Sequence, residues 1–600
     1  MKKSAIALLF AVLAHAQVYS PLVLKKGQPD PTNLKAMAHG IFTQADAATP
    51  REKAEAIWRF FLTDGRFVKP GFWYHIAGWA YEEPRGEVLD PIKLMNSYGF
   101  GLCYQIAPLL ADLWEAGGIG PARVWFLTGH TVAEVFYDGG YHYFDSDMMG
   151  YNVLTDHTVA SVQYLVEHPI AECRTGACSK PWYPADVRAN AIPDLASLFT
   201  TAEDNWIFPF QRAPHGHTMD FVLRPGERMI RYYQPETPDS YYLPKKFDGK
   251  SWTDFPQEIA QYNIRTKDGP RSQKDNRQWA TGAIEYRPQS LQDVYEMPSP
   301  YVIIDAKFRA EGDPVTGETS VDGGRTWTAG TSAATGSYGY QIRFQPRDAK
   351  ISSLVITTRF QLNPRTLPEL TAGPNELQYT AAAHKRTPIP IRAGKVEAFA
   401  SKTTNITYAG DAAQGYIINK SPQPAELIFE VAAPQLAGVD VGGRFLDLRD
   451  GLAPDKFTAE VRKVEAWPSK EAAPPAASIA WSLNAKGPYI TLWTHDPKLT
   501  KKTLRWPEVD RAIRGLPAGT QRIYVRYRIR GMAMDDFRLA AISPANPQTS
   551  TLRITHRWRE NGEAREHIES LTGPRSYTVE TAAGTTITNE ALIMECPPKQ

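Results

Sequence analysis

The sequence predicts a multidomain chain with an α+β domain at its N-terminal end, followed by several β-rich domains of sandwich or jelly-roll type. Three observations predict it. At 600 residues the chain is too long for one hydrophobic core, since domains run about 100–200 residues. Helical periodicity is confined to the region before residue 120, and later apolar residues come in short or alternating runs between turns. The generous proline (47), glycine (43) and tyrosine (28) content suits strands joined by turns. With 42% hydrophobic and 22% charged residues, the composition is that of folded protein and excludes disorder as a whole-chain description. The balance of 67 basic against 65 acidic residues leaves no electrostatic footprint for nucleic acid.

Met1-Lys2-Lys3, an apolar run from Ala5 to Ala14, and the small residues of Ala14-His15-Ala16 describe a Sec-type signal peptide over residues 1–16. The run is too short to cross about 30 Å of hydrocarbon, and no later stretch reaches the roughly 18 apolar residues of a spanning helix. The mature chain is therefore expected to be periplasmic or secreted, with no membrane span after cleavage. Its four cysteines are Cys103, Cys173, Cys178 and Cys596. Cys173 and Cys178 close a short loop and are expected to pair, while Cys103 and Cys596 have no obvious partner.

The α+β domain is expected over residues 17–190. Thr49-Pro50-Arg51-Glu52 reads as an N-cap with proline in the first turn and an acid behind it, and Ala54, Ile57, Trp58, Phe61 and Leu62 follow at helical spacing. A second helix follows Cys103, with Ile106, Leu109, Leu110, Leu113 and Trp114 on one side and Gly117-Gly118 as its stop. Proline is harmless only in a first turn, so Pro108 places the start of the regular helix near Tyr104 or Gln105 and Cys103 at its N-terminus. Ala122 to Leu127 and Thr131 to Tyr137 read as strands, and Asp138-Gly139-Gly140 turns the chain into a return strand from Tyr141 to Asp145.

The remainder is expected as β domains over 191–385, 386–466 and 467–600. Strand candidates include Tyr301 to Phe308, Leu354 to Leu362 and Ile523 to Ile529, and Phe221 to Glu227 runs strand into turn. Ser320-Val321-Asp322-Gly323-Gly324-Arg325-Thr326-Trp327 matches the Asp-box pattern of β-hairpin turns, a structural motif, and no blade-length repeat accompanies it. The Ala- and Pro-rich stretch from Trp467 to Ala477 reads as a linker or long loop. Met534 to Leu539 resembles a closing jelly-roll strand. Arg224, Arg228, Arg231, His215 and His217 gather locally and read as a solvated face or a contact for an acidic ligand.

The chemistry concentrates in three short stretches: Tyr98-Gly99-Phe100-Gly101-Leu102-Cys103, Gly129-His130-Thr131-Val132-Ala133-Glu134-Val135, and Gly140-Tyr141-His142-Tyr143-Phe144-Asp145. A free thiol titrates near 8.5, and a helix N-terminus with a neighbouring imidazolium makes it a thiolate. Glycines at 99 and 101 permit a tight turn and close approach of substrate. A hairpin centred on Asp138-Gly139 is expected to bring His130 and Asp145 roughly opposite each other, as a carboxylate that fixes an imidazole requires. Strand alternation puts Asp145, Tyr143 and Tyr141 on one face and favours Asp145 over Asp147, with His142 on the other side. Asp145-Ser146-Asp147 lacks EF-hand spacing, and His157, His168, His215 and His217 form no ligand spacing, so neither metal nor cofactor is expected.

The order Cys, His, Asp, with G-x-C opening a helix, G-H-x-x-x-E-V, and an aromatic strand ending in Asp, resembles the transglutaminase-like superfamily. The resemblance covers roughly residues 45–160, about a fifth of the chain, and also takes in Asp90-Pro91-Ile92-Lys93-Leu94. It implies a papain/transglutaminase-like fold in which Cys103 is the nucleophile, His130 the general base and acid, and Asp145 the orienting carboxylate. Tyr141 stands where the family has tryptophan. The Cys103 backbone N–H is the implied oxyanion donor, with Asn96 and Gln105 as side-chain candidates, and Tyr104, Tyr141 and Tyr143 are candidates to contact substrate. Three functions stay open. The first is an exported cysteine-dependent acyl-transfer enzyme, for amide or peptide hydrolysis or transglutaminase-type transfer. The second is a polysaccharide lyase for uronic acids using His130 or a tyrosine as base. The third is a non-catalytic carbohydrate- or protein-binding protein.

Overall fold

The computed structural model describes residues 17–62, 72–75, 81–82, 86–127, 130–146, 150–154, 156–167, 216–236, 279–389, 391, 393–409, 416–446, 475–497, 507–545 and 551–598, with short segments at 180–182, 206–207, 242, 245–247, 252–254, 265–266 and 269–270. The expected signal peptide, the Cys173 and Cys178 pair, Asp147, His168, His215 and most of the stretch after Trp467 lie outside these residues. The chain is mostly β and forms several sheets.

The N-terminal unit contains the expected helices and hairpin. Helix α1 spans Leu34–Ala45 and α2 Pro50–Phe60. A capping box starts α2: the Thr49 hydroxyl accepts from the Glu52 N–H, and the Glu52 carboxylate accepts from the Thr49 N–H at 2.8 Å. Helix α3 spans Cys103–Ala116, one residue ahead of the earlier expected start, with Pro108 inside it. Proline leaves the Tyr104 carbonyl without its i+4 donor at that turn, which the helix tolerates near its beginning. The end is a Schellman motif, with Gly118 at φ 75° and the Ile119 N–H on the Trp114 carbonyl at 3.0 Å. Strands β1 (Ala122–Leu127), β2 (His130–Tyr137) and β3 (Gly140–Phe144) form an antiparallel sheet, extended by Trp206–Ile207 beside β1. Asp138 and Gly139 both take positive φ, 46° and 88°, which is the type I′ geometry of a two-residue hairpin.

The middle of the molecule is a large sandwich whose strands come from distant parts of the chain. Its seven-stranded sheet runs, in spatial order, through Ile303–Gly312, Ile351–Leu362, Ala280–Tyr286, Glu227–Tyr232, Ile587–Cys596, Thr551–Glu560 and Glu563–Thr572. A three-stranded sheet joins Leu22–Lys25 from the start of the described chain to Pro374–Thr380 and to Arg575–Glu580 near its end. A four-stranded sheet carries the Asp-box hairpin. There Asp322 accepts the N–H groups of Arg325 and Thr326, and the Trp327 indole donates to the Gly324 carbonyl. Those bonds satisfy the turn's own backbone, as a structural motif should.

Residues 384–545 form a second sandwich, inserted between Pro374–Thr380 and Thr551–Glu560, with its own core around Phe429, Val525, Tyr527 and Phe537. The 466/467 boundary expected from sequence therefore falls inside one unit. The segment from Thr551 to Cys596 does not belong to a C-terminal jelly roll: Glu227–Tyr232 takes Ile587–Cys596 as its neighbour. Alternation marks a strand's buried face but says nothing of which distant strand it pairs with. Met534 to Leu539 lies in Ala533–Pro544, which pairs with His384–Ile389, Tyr416–Asn419 and Gly438–Leu446 and so lies inside its sheet.

The N-terminal unit is not a free-standing domain either. Its core residues, Trp58, Leu110 and Trp114 among them, share one apolar cluster with Met229, Phe360, Leu592 and Met594 of the middle sandwich. The inserted sandwich has a separate core, and its first and last strands bring His384 and Pro544 together as cross-strand partners. A fragment of residues 383–546 is therefore expected to fold alone, with a single cooperative urea transition of slope about 1–3 kcal/mol/M. A gradual transition without a cooperative midpoint would show that this core depends on the rest of the chain.

Candidate active site

Cys103 is the first residue of α3, half-buried, and the helix dipole is directed at its backbone. Leu102 at the N-cap offers no side-chain acceptor, so no side chain caps this helix end. The turn ahead of it is set by Gly99, at φ 67°, and by a single π-helical turn over Leu94–Tyr98. A Cβ on Gly99 would sit 2.5 Å from the Asn363 side chain, and one on Gly101 would sit 2.5 Å from Gln105 Oε1 and 2.8 Å from the Trp73 ring. Space thus favours glycine at both positions, and the left-handed φ requires it at Gly99 as well.

His130 begins β2, 6% exposed, and Asp145 follows β3, 2% exposed. The His130 Nε2 lies 2.6 Å from Asp145 Oδ2, and the Cys103 thiol is within hydrogen-bond reach of the same ring. The three residues singled out from sequence therefore stand in line. The register differs from the expected one: Tyr137 faces Gly140 and Ala133 faces Phe144, which places Asp145 diagonally from His130. Diagonal neighbours about 7–8 Å apart are still within reach of long side chains. Asp145 is held from behind, where its N–H and carbonyl both pair with Gly150 at 3.0 Å and its carbonyl accepts the Trp58 indole N–H at 2.8 Å.

Burial alone would lower the His130 pKa, but the Asp145 carboxylate and then the Cys103 sulfur outweigh it and raise it well above 6.5. A raised folded-state value means that this pair contributes fully to stability below the ordinary histidine range, and the contribution is lost as pH rises through the raised value.

The other candidates separate. Tyr104 and Tyr141 are half-buried. The Arg123 guanidinium lies 3.7 Å over the Tyr141 ring, and burial pushes the Tyr141 hydroxyl above its ordinary pKa. Tyr143 is a correction: it is fully buried, with its hydroxyl donating to Asn152 at 2.5 Å, and presents no surface to a substrate. Asn96 is another, because its amide donates to the Pro31 and Ile92 carbonyls at 2.8 and 2.9 Å. Gln105 is a third, fully buried and donating to the Val88 carbonyl at 2.6 Å. Polar side chains near a nucleophile read alike in sequence whether they face substrate or carry the loop's buried backbone. His142 is structural as expected, between the Val159 and Tyr137 carbonyls and stacked on Tyr137 at 3.9 Å.

The expected basic cluster does not form. Arg224 pairs with Glu227, Arg228 pairs with Glu285, and Arg231 is buried against Met594. His217 is half-buried beside Pro300 and Tyr338, and desolvation lowers its pKa.

Two contributors were not legible in the sequence. One is Trp58, which reads only as an apolar position of α2. The other is Trp73, 2% exposed, whose indole N–H is buried with no acceptor among the described residues. Its ring packs against Gly101 because Tyr74–His75 runs parallel to Phe100–Gly101. A buried orphan donor beside a nucleophile loop is notable, since such groups are costly unless occupied in function. No three His, Cys, Asp or Glu side chains come together as metal ligands among the described residues.

No protein-family profile matches the chain, and no curated protein matches it. Partial likenesses to solved structures exist. A GH115 4-O-methyl-α-glucuronidase with specificity for decorated arabinogalactans matches over 31% of this chain and 21% of its own, at 14% identity and a TM-score of 0.16. The isomalto-dextranase of Arthrobacter globiformis T6, complexed with panose, matches over 43% and 34%, at 10% identity and a TM-score of 0.16. Dimeric latent PorU from Porphyromonas gingivalis matches over 54% and 33%, at 9% identity and a TM-score of 0.18. The chain spans between about a fifth and about a third of the length of these proteins, and likeness at this level assigns neither family nor activity. No described helix is long and apolar enough to cross a membrane.

Replacing Asp145 by Asn removes the charge that outweighs burial at His130. The His130 ring, followed by NMR of protein carrying 13C-labelled histidine, is expected to titrate above the ordinary range in the wild type and distinctly lower in Asp145→Asn. Equal titration in both would show that Asp145 does not set its charge.

Proposed function

We propose that this is an exported, cysteine-dependent acyl-transfer enzyme acting on amide bonds of a peptide or protein. The observation that carries the reading is the hydrogen-bonded line from the Cys103 thiol through His130 to Asp145, with the sulfur on the first residue of a helix. An imidazolium held by a buried carboxylate stabilises a thiolate beside it, and the helix N-terminus adds to that field. The thiolate attacks the amide carbon, and negative charge moves to the carbonyl oxygen. His130 then gives its proton to the departing nitrogen as the C–N bond breaks, leaving a thioester on Cys103 and a neutral imidazole. Water or an amine next attacks the thioester and passes its proton to His130, and the sulfur leaves as thiolate. Asp145 stays ionised throughout and fixes the ring. The donor for the oxyanion is the Cys103 backbone N–H, on the first residue of the helix.

The lyase reading finds less support. A lyase needs a neutral base, whereas the Asp145 carboxylate bound to His130 raises its pKa, and Tyr143 is enclosed. Export rests on the sixteen N-terminal residues, and a polymeric substrate in the periplasm or outside the cell follows from it.

Alkylation of the full chain with iodoacetamide tests the thiol. Cys103 is expected to react readily at pH 6–7 in the wild type and at least tenfold more slowly in His130→Ala, with the label located by peptide mass mapping. A Cys103 that reacts no faster than a free thiol would favour the non-catalytic reading.

A further inference from the structure

The inserted sandwich carries a second site on the outward face of its five-stranded sheet. Strand Arg522–Arg530 alternates strictly: Ile523, Val525, Tyr527 and Ile529 fill the core, and every outward position is arginine or tyrosine. Those outward residues are Arg522, Tyr524, Arg526, Arg528 and Arg530. The neighbouring strand Ala476–Ser482 places Ser482, Ala480, Ser478 and Ala476 beside the last four of them.

Among the described residues, four cations of this face, Arg522, Arg526, Arg528 and Lys402, share two acids, Glu426 and Glu430. Glu426 is shared among Lys402 at 3.5 Å, Arg528 at 3.8 Å and Arg526 at 3.9 Å, none of them a close fork-to-carboxylate pair. Glu430 takes Arg522 at 3.2 Å. The Nε of Arg526 is buried with no acceptor among the described residues. Its guanidinium lies 4.1 Å over the Tyr489 ring, which also stands beside Tyr524. Arginine forks match planar carboxylates, and arginine stacked on an aromatic ring keeps its in-plane donors free.

The geometry points to a binding face for a carboxylate-bearing polysaccharide, a polyuronate, lying along the Arg522–Arg530 row. Outward residues two apart on a strand are about 6.6–6.8 Å apart, so successive guanidinium groups can meet successive acidic sugars while Tyr489 and Tyr524 offer ring faces for stacking. An acidic polypeptide would gain its affinity from backbone pairing at a sheet edge, and this face is the interior of a sheet with partners on both sides of Arg522–Arg530. The site belongs to the inserted unit and does not depend on the chemistry at Cys103.

Affinity electrophoresis of the full chain in gels containing polygalacturonate, dextran or poly-glutamate tests it, with dissociation constants from calorimetry. Polygalacturonate is expected to retard the protein, weakening as salt is added, while dextran does not and poly-glutamate binds at least tenfold less well. Arg526→Ala with Arg528→Ala is expected to weaken polygalacturonate binding at least tenfold with near-UV dichroism unchanged. Arg526→Lys with Arg528→Lys, which keeps the charge and the strand, is expected to bind several-fold more weakly than wild type. No retardation by polygalacturonate, equal binding of poly-glutamate, or full binding by either double variant would each overturn the proposal.

Discussion

The clamp that Asn363 places on the segment before Cys103 is the constraint on which the candidate site depends. Asn363 is 1% exposed; its backbone N–H donates to the Asn96 carbonyl at 2.7 Å, and its amide donates to the Met95 carbonyl at 2.8 Å. Gln361 reaches the Ser97 carbonyl at 3.0 Å from the same strand. The last carbonyls of a helical segment have no partner within it, and here Gln361 and Asn363, at and just past the end of a strand of the middle sandwich, supply the donors. Buried backbone groups left unpaired cost about 1–3 kcal/mol each, so the turn that delivers Cys103 is stable only against that sandwich. This is also why the N-terminal unit shares its core with residues more than four hundred positions away.

A second clamp lies alongside. Asp90 caps the helical turn Pro91–Lys93 and also accepts the N–H groups of Gly216 and His217. Glu82 receives the hydroxyls of Tyr98 and Tyr338 and pairs with Lys93. Ionised groups are buried here only because each has several partners. The seam is therefore polar and specific, and the approach to the nucleophile loop is set as much by the β unit as by the helices.

On the other side of the thiol the constraint is aromatic. Trp58 of α2 packs on Phe144 and Tyr151 while its indole holds the Asp145 carbonyl. Glu134, fully buried on the same strand as His130, accepts from Arg123, from the Trp125 indole at 2.6 Å and from the Val162 backbone. The imidazole and its carboxylate thus stand on backbone that side chains pin from behind, the arrangement that precise catalytic geometry requires.

By itself the sequence determined what is local. The capping box at Thr49, the Schellman end at Gly118, the type I′ turn at Asp138-Gly139 and the Asp-box turn depend on a few adjacent residues, and each formed where its residues stand. The candidate triad was legible for the same reason: a helix start and a hairpin position its members, and only their diagonal register was misjudged. Everything that needed a distant partner was decided by tertiary structure. The return of Ile587–Cys596 to Glu227–Tyr232, the joining of 384–545 into one unit, and the roles of Asn96, Gln105 and Tyr143 as supports follow from pairing and burial. A strand's pattern states which face is apolar and leaves open what will cover it.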